Sequence, residues 1–208
     1  MPHRATPGTL TIYGDSRSGN CLKVKWTARH LGVDFKWIEI DVTRGDTRTE
    51  EFQRLNPSGQ VPSVILPDGR TLAQSNAIIC YLGDGTELIP QDAYARAKML
   101  QWLFWEQYSH EPFIATRRWR KHFLLQTEEE LDENLLPRGR RALGVMELAL
   151  LNSEFLIDST FTLADISLVA YTRVAHEGGF DLSEFPAVRA WVHRVERELD
   201  LEPVQEAA

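Results

Sequence analysis

The spacing of hydrophobic and polar positions changes character once along this chain, near residue 90. Before that point short apolar runs are punctuated by glycine and proline. Leu10-Thr11-Ile12-Tyr13 is rich in β-branched and aromatic residues and predicts a strand. Gly14 to Gly19 breaks it, and from Asn20 the apolar positions Leu22, Val24, Trp26, Ala28 and Leu31 form an imperfect helical stripe that stops at Gly32. Phe35 to Ile40 predicts a second strand and Val61 to Leu66 a third. Pro67-Asp68-Gly69-Arg70 then turns the chain into a fourth, Thr71-Leu72-Ala73. Ala77 to Leu82 starts a helix ended by Gly83-Asp84-Gly85. The order is β-α-β, a connecting segment, then β-β-α, with the first two strands parallel and the hairpin an antiparallel edge.

From Asp92 to about Glu198 no strand pattern appears and the chain divides into four or more helices. Asp92 is placed to cap a long helix carrying Leu100, Leu103, Phe104 and Tyr108 on one side. A second runs from Thr127 through Leu131, Leu135, Leu143, Val145, Leu148 and Leu151, with an irregularity at Pro137-Arg138-Gly139. Thr162-Leu163-Ala164-Asp165 has the spacing of a capping box, with Asp where Glu or Gln is usual, and Phe161 and Ile166 flank it as a hydrophobic staple. Asp165 therefore reads as structural. The last helix runs from Pro186 and carries Val188, Trp191 and Val195. The expected domains are residues 1–84 and 92–208, joined by a linker at 85–91.

Composition narrows the function classes. With 43% hydrophobic residues in 208, the chain has a core to bury. Thirty acidic residues against 23 Lys and Arg give a formal charge of −7, which argues against nucleic acid or an anionic membrane as partner. The acidic run Thr127-Glu128-Glu129-Glu130 reads as a solvated helix start, and Arg117-Arg118 with Arg120-Lys121 as a solvated face in preference to a site for acidic substrates. Two cysteines and scattered histidines leave no disulfide framework and no metal cluster. The polar start, Met1 to Gly8, predicts neither a signal peptide nor an anchor, so a cytoplasmic protein is expected.

Three motifs carry candidate chemistry. Asn56-Pro57-Ser58-Gly59-Gln60-Val61-Pro62 leads into a strand through a proline that cannot donate to the ladder. Gln74-Ser75-Asn76-Ala77-Ile78-Ile79-Cys80-Tyr81-Leu82 puts a hydroxyl at a helix start, where orphan N–H groups bind anions or the serine simply caps. Ser16-Arg17-Ser18-Gly19-Asn20-Cys21-Leu22-Lys23-Val24 sits at the first strand-to-helix junction. Together with the element order these motifs resemble the cytosolic glutathione transferase superfamily, over nearly the whole chain.

The resemblance implies a thioredoxin-like domain followed by an all-helical bundle, glutathione as co-substrate without a metal, and a homodimer. It implies that Pro62 is cis and that Gln60, Val61 and Pro62 meet the cysteinyl backbone of glutathione. Gln74 and Ser75 would hold the γ-glutamyl end. Ser18, six residues before Val24, matches the serine-type catalytic slot and is preferred to Ser16. Asn20 stands where several classes have proline, and its amide is a second candidate donor to the thiol. Cys21 lies in the first helical turn, where thiol pKa values fall, but without a Cys-x-x-Cys pair it reads as a buried structural residue. Tyr108 and Phe113 are the first candidates for the wall of a substrate pocket. The expected activity is conjugation of the glutathione thiolate to small hydrophobic electrophiles, as in detoxification. The alternatives are glutathione-dependent isomerisation, dehalogenation or peroxide reduction, or a regulatory module that binds glutathione without turnover.

Overall fold

The computed structural model describes residues 8–204; the polar start through Pro7 and the last four residues lie outside this range. The chain forms two compact units, one ending at Ile89 and the other beginning at Pro90.

The first unit holds β1 (Leu10–Gly14), α1 (Gly19–His30), β2 (Phe35–Glu39), α2 (Glu50–Leu55), β3 (Ser63–Ile65), β4 (Thr71–Ala73) and α3 (Ser75–Gly83). The sheet order is β2-β1-β3-β4. β1 and β2 are parallel, while β1–β3 and β3–β4 are antiparallel. This is the thioredoxin-like arrangement expected. Ile12 and Val64 are fully buried in the sheet, and Val24, Ala28, Ile78 and Ile79 face it from α1 and α3. Gly32, in the left-handed region at φ 64°, ends the α1 stripe.

One element escapes the apolar pattern. The segment read as a connection contains α2, whose six residues offer a single buried apolar side chain, Phe52. The Thr49 hydroxyl caps it by accepting from the Phe52 N–H at 3.3 Å. The Phe52 ring meets Tyr13 edge-on at 6.5 Å, which places Tyr13 in packing.

The second unit is helical: α4 (Ala93–Trp105), a π-helical segment (Glu106–His110), α5 (Glu111–Arg118), a second π-helical segment (Trp119–Phe123), α6 (Leu135–Leu150), α7 (Leu163–Thr172) and α8 (Pro186–Glu198). Asp92 caps α4 by accepting from the Ala95 N–H at 2.8 Å. Of the stripe expected on this helix only Leu103 is buried. Phe104 and Tyr108 are exposed, and the buried line is Met99, Trp102, Leu103, Glu106, His110 and Ile114. Two polar residues stand in the buried row, so a pattern drawn from apolar residues follows the wrong face. His110 is accommodated by a defined bond: the Thr172 hydroxyl donates to the Leu168 carbonyl at 2.7 Å, so His110 Nε2, 2.9 Å away, is the donor to Thr172.

The next expected helix also differs. Thr127 opens only a 3-10 turn, its N–H donating to Glu130 at 2.8 Å, and α6 begins at Leu135. Pro137 falls in the first turn of α6, where its missing N–H has no intrahelical partner to lose, so the helix runs through it. Val145, Leu148 and Leu151, among the apolar positions through which this helix was expected to run, are exposed.

The basic run is not a solvated face. Arg117 and Arg118 are buried. Arg117 donates to the Gly178 carbonyl at 2.7 Å and to Glu128 at 2.5 Å, and Arg118 donates to Glu177 at 2.5 Å. Lys121 pairs with Glu128 as well. The acidic run and the basic run, both read as solvent-facing, meet each other. Lys121 and Arg117 hold the Glu128 carboxyl below its ordinary range.

At α7 the capping box is present. Thr162 accepts from the Ala164 N–H at 3.2 Å, and Asp165 accepts from the Thr162 N–H at 2.9 Å. Asp165 also accepts from the Leu156 N–H at 3.0 Å and from Trp191 Nε1 on α8 at 2.8 Å.

Candidate active site

The strand register brings the three motifs together. Tyr13 near the end of β1 is opposite Ser63 at the start of β3, and Ser63 is opposite Ala73 at the end of β4. The loop after β1, the residues before β3 and the turn into α3 therefore emerge at one end of the sheet.

The first of these, Asp15 to Ser18, is held by a buried carboxylate. Asp15 Oδ1 accepts from the Arg17 N–H and Arg17 Nε, each at 2.9 Å, and Oδ2 accepts from Arg17 Nη2 at 2.7 Å. Arg17 Nη2 reaches Asp41 at 2.9 Å as well. Burial disfavours the Asp15 anion, but the Arg17 bonds prevail and hold its pKa below the ordinary value. The Ser16 N–H donates to Glu39 at 2.7 Å, which fastens the exposed Ser16 to β2.

Ser18 is the residue before α1, in extended conformation, and its carbonyl accepts from the Cys21 and Leu22 N–H groups at 3.0 Å each. Cys21 is fully buried. Burial pushes its thiol up to about 12, against smaller contributions from the Ser18 side chain and the Asp15 N–H, the latter 3.4 Å from Sγ. A thiol in that state is inert as a nucleophile.

Asn20 links two motifs. Its Oδ1 accepts from Ser75 Oγ at 3.1 Å, joining the first turn of α1 to the first turn of α3. Lys23 Nζ donates to the same oxygen at 2.8 Å. Ser75 is the first residue of α3 and its hydroxyl is directed at Asn20, so it does not cap its own helix. The preceding residue, Gln74, is exposed at φ 71° and ψ 114°. A non-glycine residue at such a φ stores roughly 1–3 kcal/mol, and such strain concentrates at ligand sites.

The Val61–Pro62 peptide bond is cis. Strand pairing begins only at Ser63, so Val61 lies outside the ladder. Gln60 is exposed, and its carbonyl accepts from Asn56 Nδ2 at 2.7 Å and from Ser63 Oγ at 3.2 Å, which fixes the approach to Pro62.

In the helical unit Tyr108 and Phe113 line one cavity of about 600 Å³, with Trp105, Pro112, Arg138 and Arg141 also on its wall. The Arg138 guanidinium lies over the Phe113 ring at 5.2 Å. Among the described residues no group of three or more His, Cys, Asp or Glu is arranged to hold a metal ion, and no helix is long and apolar enough to cross a membrane.

Lys23 is the residue of this site that motif reading passes over. A lysine one turn after Asn20 looks like a solvent-facing helix residue, yet it is fully buried.

Comparison with known proteins identifies the family to which this fold belongs. Residues 17–84 match the N-terminal domain of glutathione S-transferases and residues 97–198 match the C-terminal domain. The chain belongs to the glutathione S-transferase family. A solved glutathione S-transferase from Pseudomonas fluorescens Pf-5 is 44% identical, with a TM-score of 0.88 covering 91% of this chain and 95% of that one. Mouse glutathione S-transferase theta-3 is 32% identical over 95% of this chain and 86% of its own length. The disulfide-bond oxidoreductase YfcG of Escherichia coli K12 is 28% identical over 78% of this chain and 79% of its own.

Proposed function

We propose that the chain binds glutathione at this end of the sheet and transfers its thiolate to small hydrophobic electrophiles. The observation that carries the reading is the Ser75–Asn20 hydrogen bond. It ties the hydroxyl at the start of α3 to the amide beside Ser18, so the two ends of one tripeptide have partners in one connected group. Gln74 and Ser75 take the γ-glutamyl end. Val61, next to the cis Pro62, exchanges backbone hydrogen bonds with the cysteinyl residue, and Gln60 flanks it.

Ser18 and Asn20 act as donors to the sulfur. A free thiol titrates near 8.5, and each unit by which the site lowers it is worth about 1.4 kcal/mol. Two neutral donors and the N-terminal end of α1 supply two units, which makes thiolate the major form at neutral pH. The thiol proton leaves to solvent. The sulfur lone pair then forms a C–S bond while a halide departs with its bonding pair, or while an epoxide oxygen keeps the pair and takes up a proton. The electrophile rests in the helical unit against Tyr108 and Phe113, and the working form is a homodimer.

Cys21 is removed from the chemistry by its burial, so any disulfide or peroxide reduction at this site also runs through the glutathione sulfur. The test is a glutathione titration followed by thiolate ultraviolet absorbance across pH, on wild type, Ser18→Ala and Asn20→Ala, with turnover of an aryl halide. A lowered thiol pKa in wild type, lost in one or both variants together with turnover, supports the transferase. Binding without a lowered pKa or turnover makes the protein a regulatory module. Absence of binding overturns the reading.

A further inference from the structure

Lys23 is among the largest fully buried side chains of the protein, and a buried ammonium is costly unless it is hydrogen-bonded. Its bond to Asn20 Oδ1, at 2.8 Å, spans one turn of α1 and ends inside the site described above. Lysine has three donors and no acceptor, so the branch of the Asn20 amide that faces it must be the oxygen. Ser75 makes no such demand. A hydroxyl donates or accepts, so Ser75 Oγ at 3.1 Å would tolerate either orientation of the amide. Of Ser75 and Lys23, it is Lys23 that requires the oxygen.

We propose that Lys23 is a positioning residue for the thiol site: its buried ammonium fixes Asn20 with Oδ1 inward, so that Nδ2, a donor, is the branch directed at the glutathione sulfur. The inference rests on the proposed glutathione site. With the amide reversed, Asn20 would turn an acceptor toward a thiolate, which repels it. Lys23 therefore converts an amide with two orientations into a donor of one, and it acts on the sulfur through Asn20.

The test is a double-mutant cycle with Lys23→Met, Asn20→Ala and the pair. Methionine has nearly the volume of lysine and removes the charge, so packing is retained. Thiolate absorbance of bound glutathione at neutral pH, and kcat and KM with an aryl halide, are the readouts, and glutathione affinity and melting temperature are followed alongside. In the wild-type background Lys23→Met raises the bound-thiol pKa by about one unit, the scale of one hydrogen bond to a charged group, which lowers the thiolate fraction and kcat at pH 7 about threefold, while KM for glutathione changes little. In the Asn20→Ala background it lowers neither further. An unchanged kcat in Lys23→Met, or an equal loss in both backgrounds, overturns the positioning role while the glutathione site stands. A wild type that does not bind glutathione overturns the site and the inference with it. A second measurement needs no variant: the Asn20 side-chain amide protons of the wild type shift on adding glutathione, and resonances that stay in place overturn the inference even if Lys23→Met fails to fold.

Discussion

Asp165→Ala is expected to be among the most damaging single changes in the helical unit. The carboxylate is fully buried and accepts four hydrogen bonds: from the Leu156 and Thr162 N–H groups, from the Thr162 hydroxyl and from Trp191 Nε1. Truncation leaves both N–H groups and the indole without this partner; only the Thr162 hydroxyl is able to turn elsewhere. At about 1–3 kcal/mol for each of the three buried donors left unsatisfied, the loss is on the order of 3–9 kcal/mol. Asp165→Asn keeps one acceptor oxygen and sets an NH2 against the other donors, so about half the loss is expected.

The effect also depends on pH. Burial raises the Asp165 pKa from 3.8 to about 6, despite the hydrogen bonds that favour the anion. Because the folded value lies above the unfolded one, the contribution of Asp165 is complete below pH 4 and declines as pH rises through 6, by roughly 3 kcal/mol for a shift of that size. Urea unfolding of wild type and both variants at pH 5 and pH 8, followed by circular dichroism, measures both effects. The wild-type advantage over Asp165→Ala should be larger at pH 5. A loss below about 1 kcal/mol at pH 5, against the several expected for a buried polar network, would refute the argument that this network holds α7 and α8 to the preceding loop.

Two glycines of α6 should respond oppositely to alanine. At Gly139 a Cβ would lie 2.4 Å from the Phe180 ring, so Gly139→Ala is expected to destabilise by about 1–3 kcal/mol by overpacking. Gly144 has nothing within 4 Å, and Gly144→Ala should stabilise by about 0.5–1 kcal/mol through helix propensity; paired thermal melts compare them. Cys21, with its thiol pushed up to about 12, should resist alkylation by iodoacetamide at pH 8 until denaturant is added, which peptide mass spectrometry reads directly. Arg118→Met removes the nearer partner of the partly buried Glu177 carboxylate, leaving His122 at 3.8 Å, and should cost about 2–3 kcal/mol, measured by urea midpoint.

The sheet was legible because each strand carries a short apolar run closed by a turn signal, and β4 at Thr71–Ala73 follows its turn without ambiguity. The capping box at Thr162 and the stripe Val188, Trp191 and Val195 of α8 were legible for the same reason, since local pattern and burial agree there. The Glu106–His110 segment was not: a π-helical turn breaks the 3.6 period, and its buried positions hold Glu106 and His110, which an apolar scan discounts. The pairing of Arg117 with Glu128 was hidden because it joins two runs that each look solvated. At the site, motif spacing pointed to Ser18, Asn20 and Ser75 one by one. The Ser75–Asn20 link depends on how α1 meets α3, and the burial of Lys23 on what packs around α1, neither of which spacing along a chain encodes.

The Asp15–Arg17 clamp has a consequence for the speed of recognition. The junction between β1 and α1 is braced by three bonds between one carboxylate and the residue two positions on, and by Arg17 reaching Asp41. Ordering this loop is thus part of folding and is not deferred to ligand arrival. Stopped-flow mixing with glutathione should give a single concentration-dependent phase without a slow isomerisation step, and Arg17→Ala should add one.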